Sequence, residues 1–145
     1  MKWLDRRDVE AIHAAQVMEF GGLQGLRDEG GLESALARPR NLAAYERPDL
    51  CRLGAAYAFG VCRNHPFVDG NKRTAFVSAA VFLEINGRIL TASEEDVVVT
   101  FLALAAGELG EQELGRWFES NSKPERPPRP RAKVPRARKA PRTRR

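Results

Sequence analysis

Ten consecutive residues, Thr74 to Leu83, carry no charge, and they lie within a stretch, Asn71 to Asn86, whose apolar residues face every side of a helical wheel. The stretch is too long for an ordinary strand, and a helix that is apolar all round has to be covered by other structure. The pattern therefore predicts a buried central helix ended by Asn86-Gly87, with the rest of the chain built to surround it.

The other elements also read as helices. Asp5 or Asp8 can cap a first helix with Val9, Ile12, Gln16/Val17 and Phe20 at helical spacing, stopped by Gly21-Gly22. Residues 21–31 hold five glycines and are expected to form a loop, followed by a short helix over about 32–38 that Pro39 ends. Asp49 to Arg63 forms a third helix, with Leu50, Leu53, Tyr57 and Val61 on one face. Gly54 and Gly60 inside it each cost about 1 kcal/mol against Ala, which points to close helix packing there. Ser93 with Asp96 three residues on marks a helix over 93–106, despite the strand propensity of Val97-Val98-Val99. A last helix over about 111–120 buries Leu114, Trp117 and Phe118. No segment alternates as a strand does, so the expected fold is all-α, a single bundle of about six helices.

Charge divides the chain in two. From Lys123 to Arg145 there are eleven Lys and Arg and one acid, Glu125, leaving thirteen bases and eighteen acids in residues 1–122. The net charge of +5 thus belongs to the tail rather than to the body. With prolines at 124, 127, 128, 130, 135 and 141, residues 123–145 are expected to be disordered and 1–122 to form the domain. Eleven cations without interleaved aromatics would give salt-sensitive, non-specific contact with RNA or DNA. Cys51 and Cys62, on one helix, would be roughly 16 Å apart and cannot pair. The N-terminus has no apolar leader, and the longest near-apolar stretch, Val97 to Gly107, falls well short of the ~20 residues of a spanning helix. A cytoplasmic protein without membrane contact is expected.

The chemistry concentrates in His65-Pro66-Phe67-Val68-Asp69-Gly70-Asn71-Lys72-Arg73, a connector running into the apolar helix. Gly70 and the backbone N–H groups after it can form an anion-binding concavity at the helix start. Lys72 and Arg73 stand in the first turn, where cations oppose the helix dipole. Such a placement makes sense where an anion fills the site. Asp69 can cap the helix or hold a divalent cation that bridges phosphates. His65 at the rim suits a general base acting on a hydroxyl. Taken singly each residue has a plainer reading: a cap, a structural histidine, two solvated cations. Together they form a constellation for phosphoryl or nucleotidyl transfer.

The order of these nine residues resembles the characteristic loop of the Fic/Doc family, in the form found in death-on-curing (Doc) toxins. The segment Gly25 to Pro39, GLRDEGGLESALARP, is similar to the flap and following helix of Doc-like proteins, and the likeness covers about residues 1–120. The resemblance implies a role for each position. His65 would be the base, Asp69 would hold the metal–phosphate unit, and Gly70, Asn71, Lys72 and Arg73 would bind nucleotide phosphates. Phe67 would anchor the loop, and the flap at Gly25, Leu26, Arg27 and Asp28 would dock the protein substrate. It also implies ATP as co-substrate, Mg2+ as the ion, and a separate antitoxin, since no Ser/Thr-x-x-x-Glu-Gly/Asn inhibitory segment stands in the chain. The AMP-transferring branch has Gly where Lys72 stands and Arg where Phe76 stands. The Doc pattern instead implies transfer of the ATP γ-phosphate to a protein hydroxyl, with elongation factor Tu as the model target. The alternatives are nucleotidyl transfer by the same loop, an idle Fic-fold binding module, and a nucleic-acid binder acting through the tail.

Overall fold

A computed structural model describes residues 1–125; the disorder expected of residues 126–145 lies outside the described residues. Six helices are present among them: α1 (Arg6–Phe20), α2 (Glu29–Tyr45), α3 (Leu50–Asn64), α4 (Asn71–Ile85), α5 (Glu94–Ala105) and α6 (Glu111–Ser120). The all-α bundle read from the sequence is the fold observed. Two three-residue strands, β1 (Arg88–Leu90) and β2 (Ser122–Pro124), pair antiparallel with Arg88 opposite Pro124. No strand pattern announced them, and β2 runs across the boundary drawn after residue 122, so Lys123 and Pro124 belong to the folded body.

The central helix is α3 rather than α4. It packs against α2, α4 and α6, and from Leu53 to Cys62 only Phe59 reaches solvent to any degree. Its small residues make this possible. A methyl group at Gly60 would stand 3.0 Å from the Ala35 Cα of α2, and one at Gly54 3.3 Å from Leu83 of α4. α4 is buried along Asn71, Thr74, Ala75, Ser78, Ala79, Phe82 and Leu83, while Ile85 is exposed. Its uncharged sequence thus overstates its burial: several of its apolar residues are only half covered. Tyr57 of α3 fixes the N-terminus, its hydroxyl accepting from the Leu4 N–H at 2.9 Å and donating to the Leu4 carbonyl at 3.3 Å. Cys51 and Cys62 are buried free thiols, and burial pushes both up from the ordinary thiol pKa.

The largest departure from expectation is α2. It does not stop at Pro39 but runs on to Tyr45, with Leu32, Ala35, Leu36 and Pro39 buried on one stripe. A proline inside a helix costs about 3 kcal/mol; burying that stripe against α3 offsets it. The helix also starts earlier than the glycines suggested, because Asp28 caps it by accepting from the Gly31 N–H at 2.8 Å. A Cβ at Gly31 would lie 2.6 Å from the Asp28 carboxylate, so that glycine belongs to the cap rather than to a loop. The true loop is therefore residues 21–28. On α1, Asp5 is the cap in a reciprocal pairing with Asp8, and the buried face is Val9, His13 and Val17, with Phe20 left exposed.

Candidate active site

Helix α3 ends in an unusual way. His65 closes it in the left-handed conformation (φ 51°, ψ 53°), and no other non-glycine residue among those described has positive φ. Such a conformation costs roughly 1–2 kcal/mol for an L-residue, so neighbouring contacts have to hold it. Arg27 of the loop after α1 donates to the His65 carbonyl at 2.6 Å. Phe67, two residues on, is fully buried and pins the connector to the core. Gly70 then makes the second left-handed turn (φ 76°) and starts α4, where no side chain caps the helix. The N–H groups of its first turn are consequently left unspent, and Lys72 and Arg73 stand beside them.

The connector, α4 and α5 border a cavity of about 540 Å³. The connector and the start of α4 line it with His65, Val68, Asp69, Gly70, Asn71, Lys72 and Arg73; Phe76 farther along α4 and Glu94, Val97, Val98, Phe101 and Leu102 of α5 add a largely apolar surface. Phe76 meets Phe101 edge-on, with ring centroids 5.3 Å apart. The Arg73 guanidinium carbon lies over the Phe20 ring at the end of α1, 3.6 Å from its centroid.

With this geometry in view, the relatives can be placed. The Fic/DOC family model matches residues 3–83. The chain belongs to the Fic/DOC family. It is 36% identical over 110 residues to the protein kinase doc of Escherichia phage P1, covering 75% of this chain and 86% of that protein. It is 44% identical over 95 residues to the toxin Doc of Mycolicibacterium smegmatis, covering 63% of this chain and 69% of that one.

The Fic/DOC loop brings six of the residues singled out in the sequence to one cavity, with differences in detail. Asn71 is buried, and its side chain is spent on the loop itself: it accepts from the Phe67 N–H at 3.0 Å and donates to the Phe67 carbonyl at 2.9 Å. Only its backbone N–H can serve an anion. The same amide nitrogen stands 3.2 Å from His65 Nδ1. Because Nδ1 faces a donor, the neutral ring carries its proton on Nε2. Asp69 does not cap α4. Its carboxylate accepts from Gly70 N–H at 3.1 Å and from Leu23 N–H at 3.1 Å, tying the connector to the start of the flap.

The flap residues do not line the cavity. Gly25 and Leu26 pair instead with the connector: Val68 N–H donates to Gly25 at 3.0 Å, Arg27 N–H donates to Pro66 at 2.7 Å, and Leu26 stands opposite Phe67. The Leu26 N–H and carbonyl point the other way and have no partner among the described residues. Asp28 serves as the cap of α2, and Arg27 as the brace of His65. Sequence reasoning passed over both of those roles, and also His13, whose ring reaches the Asp69 carbonyl. The available signal was a histidine at the centre of the Val9–His13–Val17 stripe.

Among the described residues no cluster of three His, Cys, Asp or Glu side chains could hold a metal ion. Asp69 is exposed and lines the cavity, and its lone carboxylate would be the one protein ligand of an ion that draws its other ligands from phosphate and water. No described helix is long and apolar enough to cross a membrane.

Proposed function

We propose that the protein is a Doc-type toxin kinase that transfers the γ-phosphate of ATP to a Ser or Thr hydroxyl of a protein, with elongation factor Tu the first target to test. The observation that carries this reading is the lining of the cavity. Cations and unspent N–H groups gather at the start of α4, and within a turn of them Phe76, packed on Phe101, occupies the position where the AMP-transferring branch carries an arginine. Lys72, Arg73 and the backbone N–H groups from Asn71 to Arg73 hold phosphate oxygens. His65 accepts the proton of the target hydroxyl, whose oxygen attacks the γ-phosphorus as the bond to the β–γ bridging oxygen breaks and ADP leaves. The ring is exposed, so solvent delivers a proton to Nδ1, at the cost of the Asn71 contact, as Nε2 gives up its own and is left bare to accept. Mg2+ on Asp69 would neutralise charge on the phosphates.

The free edge at Leu26 would pair with an extended segment of the target. The name "protein kinase doc" borne by the phage relative accords with phosphate transfer, and the toxin name of the other with a separate antitoxin. The basic residues from Lys123 onward would add salt-sensitive contact with RNA, checked by retention of the full chain on RNA at two salt concentrations.

The test uses ATP labelled separately at the α and γ positions, incubated with the protein and elongation factor Tu. We expect γ label on the target, an addition of about 80 Da, and none with His65→Ala. Transfer of α label would move the reading to nucleotidyl transfer. Transfer undiminished in His65→Ala would remove His65 as the base.

A further inference from the structure

His13 is a titratable side chain that the proposed chemistry does not use, and it lies under the loop that performs it. It is 3% exposed, at the middle of the buried stripe of α1. Its ring stacks on Phe67 with centroids 3.9 Å apart and planes 7° from parallel. Its Nε2 lies 2.8 Å from the backbone carbonyl of Asp69, 56 positions away in the chain. A carbonyl oxygen only accepts, so Nε2 carries the proton and donates.

The peptide it grips joins Asp69 to Gly70. The carbonyl of that peptide is held by His13, and its N–H by the Asp69 carboxylate at 3.1 Å. The carboxylate is held in turn by the Leu23 N–H. Gly70, directly after it, can adopt many backbone conformations and is kept at φ 76° by these contacts and by its packing on Val17 and His13. Released from His13, the peptide plane could rotate about the glycine. Rotation would swing both the Asp69 carboxylate and the first N–H groups of the anion turn away from the cavity.

We infer that His13 is a positioning residue: through its Nε2–H it fixes the Asp69–Gly70 peptide, and so presets the carboxylate and the anion turn for nucleotide phosphates. The inference rests on the functional reading above. Two substitutions separate the donor from the ring. His13→Phe keeps a flat ring for Phe67 but removes the donor, whereas His13→Gln removes the ring and keeps an N–H that reaches as far as Nε2. We expect His13→Phe to weaken binding of ATP with magnesium, measured by titration calorimetry, by about tenfold and to lower kcat by about tenfold. We expect His13→Gln to stay within about threefold of the parent on both measures, even though its Tm falls.

A histidine that merely fills the core gives the opposite pattern, with Tm lower in both variants and affinity unchanged in the folded protein; that result overturns the inference. So does a glutamine variant no better than the phenylalanine one. Independently of either variant folding, 15N NMR of the unmutated protein is expected to place the His13 proton on Nε2, and a proton on Nδ1 overturns the assignment. An unmutated protein that neither binds ATP nor transfers phosphate removes the functional reading, and the NMR measurement still judges the contact. If it does both while His13→Phe matches it, this inference alone falls.

Discussion

Helices α4 and α5 both begin at the rim of the same cavity, and they begin in opposite ways. At α5, Ser93 accepts from the Asp96 N–H at 3.1 Å, and Glu94, Glu95 and Asp96 fill the first turn, the arrangement that best satisfies a helix N-terminus. At α4 the cap is a left-handed glycine with no side chain to offer, and the first turn holds Lys72 and Arg73. One start satisfies itself; the other does not, and under the proposed function an anion completes it. On that reading the two starts mark where the fold stops serving stability and begins serving a ligand.

The sharpest way to separate chemistry from anion binding at the open start is His65→Ala. Transfer should fall by roughly 10²–10⁴-fold while affinity for ATP stays within about threefold, measured by kinetics and calorimetry on the same preparation. Next comes reversal of the open turn itself. Lys72→Glu with Arg73→Glu should weaken ATP binding by at least about a hundredfold, since two charge-assisted contacts at about 1.5–3 kcal/mol each are lost. Tm should hold or rise, because acids suit a helix N-terminus. Gly70→Ala forces an L-residue to φ 76° and should cost about 1–2 kcal/mol in denaturant unfolding, with ATP affinity reduced as well. The smallest effect is expected at the closed start: Ser93→Ala should lose about 1 kcal/mol of stability and leave ATP binding unmoved. A stability loss at Lys72 and Arg73 paired with an affinity loss at Ser93 would invert the comparison.

What could be read from the sequence follows the same line. Helix starts capped by a nearby side chain, at Asp5, Asp49 and Ser93, were legible because the signal lies within four residues. The course of α2 was not, since the burial of Leu32, Ala35, Leu36 and Pro39 against α3 overrides what a proline does locally. The β1–β2 pair joins three-residue segments 34 positions apart, too short to show a period. In the loop, the order of His65 through Arg73 was informative because the residues act as neighbours. The supports of that loop were hidden: Arg27 on the His65 carbonyl and His13 on the Asp69 carbonyl are side-chain grips on distant backbone, which composition and spacing do not register. For the same reason the sequence did not show that the Asn71 side-chain amide is engaged with Phe67, leaving only its backbone N–H for an anion.

The central claim is that the first turn of α4 binds phosphate oxygens through its backbone. Titrating ATP with magnesium into the 15N-labelled full chain and following its amide resonances tests this directly. The account predicts that the largest shifts fall on Asn71, Lys72 and Arg73, with the amides of α5's capped first turn moving far less. Saturating nucleotide that leaves those three resonances in place, or moves the start of α5 instead, would contradict it.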